Sequence, residues 1–254
     1  MKNNIIIRVS NVSKKFTVDC KESKSILHNI IYFLKKKSNK EIIALSDINF
    51  KVFNGDTLAI LGDNGSGKST LLKIISKIYY PDSGYVKLSG DCIYLNGFGH
   101  GMNPRLTMKE NIFLMGSLMG IDSRNVRLLI GDIVKFSGLQ EFMDVKVYQF
   151  SSGMIIRLLF SSTITFVEFK KPKIIILDEV FNAGGDLDFQ KKAIEKMNQL
   201  IKNNICVIIA SHDLSLIRNY ANKVIWLKGG KIFKIGDPDK ITKEYENSNH
   251  FIYR

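Results

Sequence analysis

A chain of 254 residues, with 45% hydrophobic and 24% charged side chains, carries enough apolar material for one large α/β domain and excludes a disordered or fibrous polymer. Its 37 Lys and Arg against 24 Asp and Glu leave a formal net charge of +13, which fits either an anionic membrane surface or lysines on solvated faces. Nucleic acid is not an expected partner, because no stretch matches a DNA- or RNA-reading module and the aromatics do not interleave with arginine in a stacking pattern.

The N-terminal Met1-Lys-Asn-Asn-Ile lacks the apolar core and cleavage site of a signal peptide. Ile5–Val18 alternates and predicts a strand with a bend around Asn11. Ser23–Leu34 then places Ile26, Leu27, Ile30, Ile31 and Leu34 on one helical face, directly before Lys35-Lys-Lys37 and Lys40. This insertion, about residues 23–40, reads either as an amphipathic helix on a membrane surface or as a core-packed helix with a solvated basic end. Asn54-Gly55 predicts a tight turn between Ile48–Phe53 and Thr57–Leu61, and the apolar Leu58–Leu61 predicts a buried strand.

The next segment, Gly62-Asp-Asn-Gly-Ser-Gly-Lys-Ser-Thr70, fits the phosphate-loop spacing G-x-x-x-x-G-K-[ST]. Gly62, Asn64, Gly65, Ser66 and Gly67 can fold into a nest of backbone N–H groups around a β-phosphate. Lys68 can neutralise the β/γ oxygens, Ser69 can place its hydroxyl on Mg²⁺, and Thr70 lies in the helix whose N-terminal dipole meets the anion. Leu71, Leu72, Ile74, Ile75 and Ile78 recur at helical spacing behind the loop. Strand, glycine loop and helix follow in the order the chemistry requires.

Pro81-Asp-Ser-Gly84 is a turn signal, Gly84–Leu95 reads as strands and Gly97–Met102 is glycine-rich. Leu106–Gly120 and Leu128–Ser137 read as helices, so residues of about 106–169 form an expected α-helical lobe. Leu158–Val167 is apolar but too short to span a membrane. Ile174–Leu177 is an all-apolar run ending in Asp178-Glu179, and ligands of open α/β sheets bind at that end of the strands. Asp178 can hold Mg²⁺ there, and Glu179 can polarise an attacking water. Phe189–Asn203 reads as helix and Cys206–Ala210 as a second buried strand, from which His212 emerges in Ser-His-Asp toward a γ-phosphate. His28, His100 and His250 have no such context. Trp226–Gly236 reads as a hairpin, and the alternation predicts a mostly parallel sheet buried on both faces. Cys20, Cys92 and Cys206 form no CxxC pair and no metal set, as in a reducing compartment.

Together these segments resemble the nucleotide-binding subunit of an ATP-binding cassette transporter over nearly the whole chain. The resemblance implies a single ABC ATPase domain over residues 1–254: a P-loop NTPase core of mostly parallel sheet, an antiparallel β part and an inserted α-helical lobe. Phe150-Ser-Ser-Gly-Met154 is similar to the family signature, usually Leu-Ser-Gly-Gly-Gln, with Ser151 and Gly153 retained. Ser151, Ser152 and Gly153 would open a helix at Ile155–Ser162 facing ATP held by a second subunit, so a homodimer is implied. Ser151-Ser-Gly-Met154 with Arg157-Leu-Leu-Phe160, Gly97-Phe98, Asn103–Asn111, Ala183-Gly-Gly-Asp186 with Phe189-Gln-Lys-Lys192, and Ser211–Ile217 resemble ATPases that export O-antigens, capsules and teichoic acids.

The insertion before Ile43–Ile48 resembles that group as well. It implies an ATP-hydrolysing subunit at the cytoplasmic face of the membrane, joined to a separate polytopic permease that moves a lipid-linked polysaccharide. Lipid or drug export, or an ATP-dependent switch at the membrane, are the alternatives. The chain ends soon after its last hairpin, leaving no room for the carbohydrate-binding domain some members carry. No Gln lies between Ser89 and Leu139, so Asn96 or the Gly97–Gly101 loop would replace the family's γ-phosphate-sensing glutamine. Asp186 stands one residue farther from Glu179 than the family pattern. Phe16 would stack on adenine, or is strand core.

Overall fold

A computed structural model describes residues 4–18, 40–96, 101–178, 186–202 and 205–250. The insertion through residue 39, the loop 97–100 and the stretch 179–185, which includes Glu179, lie outside the described residues. Three strands are buried at every position: β3 (Thr57–Leu61), β6 (Ile174–Asp178) and β7 (Cys206–Ala210). Such runs carry no polar alternation because both faces of a parallel sheet are covered. The sheet has six strands in the order β5-β6-β7-β3-β8-β9. It is parallel from β5 (Cys92–Asn96) to β8 (Lys223–Lys228), and β9 (Lys231–Gly236) closes the predicted hairpin antiparallel to β8.

Alternate side chains of each strand serve opposite layers. Ile174, Ile176 and Ile208 meet helix α1 (Lys68–Ile75) and the buried face of a second, three-stranded sheet. Ile175, Leu177, Val207 and Ile209 pack instead against Phe160, Ile164 and Val167 and against Phe189 and Ala193. Cys206 is fully buried in the first layer, and burial pushes its thiol up to about 12, so it serves as a small core residue.

The second sheet is antiparallel, in the order β2 (Lys40–Phe53), β1 (Ile5–Val18), β4 (Ser83–Leu88). The bend expected at Asn11 is a bulge: Asn11 has φ 51, the register of β1 shifts between Val9 and Val12, and the Asn11 amide donates to Asn49 Oδ1 at 2.8 Å. Asparagine tolerates this left-handed backbone better than most side chains. The turn at Asn54-Gly55 carries the chain from the antiparallel sheet to the parallel one; it does not close a hairpin, because β2 and β3 lie in different sheets.

Between β5 and β6 stand three longer helices, α2 (Met108–Leu118), α3 (Ser123–Ser137) and α4 (Ser152–Lys170). A reciprocal capping box of Thr107 and Glu110 starts α2. Helix α3 begins at Ser123, ahead of the expected Leu128, because the Asp122 carboxylate caps it by accepting the Asn125 N–H at 2.8 Å. Helix α4 extends well past the expected Ile155–Ser162. By length and composition it is apolar enough to cross a membrane, yet 50% of that window is buried in the protein. Its Phe160, Ile164 and Val167 face the sheet while Leu158, Leu159 and Phe166 face α2 and α3, so it is apolar on two sides because it joins two cores.

The remaining helices are α5 (Leu187–Lys202), α6 (Leu214–Tyr220) and α7 (Pro238–His250). Helix α7 was not expected. It packs Ile241 beside Trp226 on the outer part of the parallel sheet.

Candidate nucleotide-binding site

The loop after β3 is shaped by glycines where a side chain cannot fit. Gly62 has φ +154, and a Cβ there would stand 2.3 Å from the Leu227 carbonyl; Gly67 has φ +104, and a Cβ there would stand 2.6 Å from the Ala44 carbonyl. Gly67 also starts α1 without any side-chain cap, so the first amides of the helix keep their positive end open to an anion. Inside the loop, Ser66 is 5% exposed and its Oγ has no hydrogen-bond partner among the described residues. A buried orphan hydroxyl is costly, and an acceptor brought by a ligand would satisfy it.

Lys68 is 7% exposed, and its Nζ donates to the carbonyls of Gly62 at 2.7 Å and Asp63 at 3.0 Å. These two carbonyls fix the ammonium at the loop, a position that suits an incoming polyphosphate. The next residue, Ser69, donates its hydroxyl to Asp178 Oδ1 at 3.3 Å. Asp178, 2% exposed at the end of β6, therefore meets the phosphate loop directly. Asn64, Gly65 and Thr70 lie on the same loop and helix start, with Asn64 and Gly65 exposed.

Strand order explains how the segments converge. Strand β7 lies between β6 and β3, and Ala210 is level with both Asp178 and Ile60. Residues 211–213 thus leave the sheet between the carboxylate and the strand that feeds the loop. His212 is exposed there. Its turn is held by its neighbours: the Asp213 N–H donates to Ser211 Oγ at 3.0 Å, and Asp213 Oδ1 accepts the Ser215 and Leu216 amides at 2.9 and 3.2 Å. The Ser215 hydroxyl, foremost, holds the Asp213 carboxyl below its usual range.

One site residue escaped the sequence reading. Tyr94, on β5, donates its hydroxyl to Asp178 Oδ2 at 2.9 Å, so the carboxylate receives a hydroxyl on each oxygen. Burial, then the bond to Asp178 and its charge, push the Tyr94 phenol well above its usual value, so it remains a donor at any working pH. The side-chain pattern of β5 offered no signal for this pairing; only the β5–β6 neighbourhood creates it.

Other expected residues have local partners. Ser151 caps α4 by accepting the Met154 N–H at 3.2 Å, and no hydrogen bond among the described residues joins Ser151, Ser152 or Gly153 to the phosphate loop. Asp186 caps α5 through the Phe189 N–H at 2.8 Å and pairs with Arg157 of α4 at 3.3 Å. Phe16 is half-buried outside the core clusters, with its ring edge-to-face on Tyr79 at 5.7 Å and Lys14 Nζ 5.6 Å from its centroid. Asn96 lies level with Asp178 on the neighbouring strand.

Comparison with known proteins adds to this geometry. A family model described as "ABC transporter" matches residues 45–182. The chain is 32% identical over 247 residues to the O-antigen export system ATP-binding protein RfbB of Klebsiella pneumoniae, covering 96% of this chain and 98% of that one. It is 30% identical over 243 residues to the teichoic acids export ATP-binding protein TagH of Staphylococcus haemolyticus, covering 96% and 89%. A 37% match to RfbB of Myxococcus xanthus covers 82% of this chain, which spans just under half, 46%, of that relative. Among solved structures, the dimeric post-hydrolysis ATP-binding cassette MJ0796 bound to ADP and Pi aligns with a TM-score of 0.67 at 21% identity, covering 92% of this chain and 99% of that one. At that identity the likeness concerns the fold.

Proposed function

The chain belongs to the ABC transporter family, and from that premise we propose that it is the ATP-hydrolysing subunit of an exporter moving a lipid-linked polysaccharide across the cytoplasmic membrane. One observation carries the choice of cargo: near full-length similarity to ATP-binding proteins named for O-antigen and teichoic acid export. The chain would act as a homodimer at the cytoplasmic face, bound to a separate polytopic permease.

The reaction transfers the terminal phosphoryl group of ATP to water, breaking its bond to ADP. Positioning and charge stabilisation supply most of the catalysis in such transfers. Lys68 and the N–H groups of the loop from Gly62 to Thr70 would hold the β- and γ-phosphates, and His212 would contact the γ-phosphate from between the strands. Glu179 would orient the water and take its proton. Ser151 and Gly153 of the partner subunit would close on the same phosphate, and Phe16 would stack on adenine. Ser69 and Asp178 are hard oxygen donors suited to Mg²⁺, an ion that substrate phosphates would also hold. Bound there, Mg²⁺ would neutralise charge on the phosphate oxygens.

The purified chain is expected to release phosphate from ATP only with Mg²⁺ and to dimerise on size-exclusion when ATP is bound but not hydrolysed. A monomer that hydrolyses at full rate would contradict the shared-site reading. Tyr94→Phe keeps the ring and removes one donor to Asp178. Outer-sphere partners of this kind are worth roughly tenfold or more in metal affinity or activity. The Mg²⁺ concentration for half-maximal activity should therefore rise by about that factor. An unchanged Mg²⁺ activation curve would remove Tyr94 from the site.

A further inference from the structure

Helix α7 reaches the phosphate loop. Its Thr242 is fully buried, with Oγ1 accepting from Arg218 Nε at 2.8 Å and donating to the Pro238 carbonyl at 2.7 Å, and Arg218 pairs with Glu246 at 2.7 Å. The helix is thus fixed on α6 and the outer sheet. From that base the Tyr245 ring stands edge-on to Trp226 at 5.3 Å, and its hydroxyl donates to Asp63 Oδ1 at 2.7 Å, across 182 positions of sequence.

Asp63 is the second residue of the phosphate loop. Its carbonyl accepts both Lys68 Nζ at 3.0 Å and the Ser66 N–H at 3.1 Å, so its backbone helps to set the lysine and the loop turn. Its side chain is a different matter. A carboxylate on the rim of a polyphosphate site repels the ligand wherever it can turn toward it. The Tyr245 hydroxyl holds that carboxylate through its Oδ1.

We propose that Tyr245 is a positioning residue for nucleotide binding: by holding the Asp63 carboxylate it ties the C-terminal helix to the phosphate loop and keeps a negative charge off the ATP phosphates. The inference rests on the nucleotide-binding reading of that loop. It assigns to α7 a control over ATP affinity, and any displacement of the helix would loosen the site without touching a reacting atom.

The test pairs Tyr245→Phe with Asp63→Ala, alone and together, in the full chain. Tyr245→Phe preserves the packing on Trp226 and should raise the KM for ATP about threefold to tenfold, within the range of one ordinary hydrogen bond, with kcat unchanged. Asp63→Ala removes the charge itself, so adding Tyr245→Phe to it should change KM no further. Asp63→Asn, which keeps an acceptor without the charge, should restore the KM of the tyrosine variant.

Hydrogen exchange of the amides of residues 62–67, measured by mass spectrometry without nucleotide, should quicken in Tyr245→Phe. Unchanged exchange with unchanged KM overturns the latch, as does a KM effect that persists in the Asp63→Ala background. If wild type binds no ATP, the functional reading fails instead, and the exchange comparison alone decides the latch.

Discussion

Replacing Lys68 with alanine is expected to abolish ATP binding and, with it, ATP hydrolysis. The ammonium is buried at the phosphate loop, where the carbonyls of Gly62 and Asp63 hold it. Losing it removes the countercharge that the loop offers to the phosphates. A single electrostatic stabiliser of a transition state is worth about 10²–10³ in rate. Thermal melts read out the loss of binding. ATP at one hundred times its Kd stabilises the wild type by about 2.7 kcal/mol, a rise of roughly 5–10 °C for a domain of this size. In Lys68→Ala that rise should vanish. A variant that keeps the ATP-induced rise would show that the loop grips nucleotide by other means.

The second large effect is expected at Glu179. Glutamine at that position keeps the shape and hydrogen-bonding reach but cannot accept a proton from water. General-base removal costs about 10²–10⁴ in rate, so Glu179→Gln should bind ATP and trap the closed dimer while turnover nearly disappears. Together the variants divide the site: Lys68→Ala fails before binding, and Glu179→Gln fails after it. Rapid hydrolysis by Glu179→Gln would remove that residue from its role and leave the water to be oriented by another group near Asp178.

Much of this site was legible before any coordinates. The phosphate loop is carried by spacing alone, and the apolar runs at Leu58–Leu61, Ile174–Leu177 and Cys206–Ala210 read as buried strands because no side chain in them favours water. Strand order was not legible. Periodicity says that a segment is a strand without saying which strand lies beside it, so the placement of β7 between β3 and β6, which sets where His212 emerges, had to come from the fold. Tyr94 escaped for the same reason: a tyrosine in a five-residue strand gives no hint that a carboxylate on its neighbour will need a donor. Helix α7 escaped because Ile241 and Tyr245 are nearly all its apolar material, and its contact with Asp63 spans 182 positions of sequence. Helix α4 runs from Ser152 to Lys170, beyond the expected Ile155–Ser162, and its two-sided apolar surface reflects two cores meeting on one helix.

The most direct measurement is the surface-glycan profile of a strain depleted of this protein and complemented with either wild type or Glu179→Gln. Export driven by hydrolysis at this site predicts that polymer leaves the surface on depletion, accumulates inside the cell, and returns only with wild type. Surface glycan unchanged in every strain would contradict polysaccharide as the cargo, while full restoration by Glu179→Gln would contradict ATP hydrolysis at this site as its driving force.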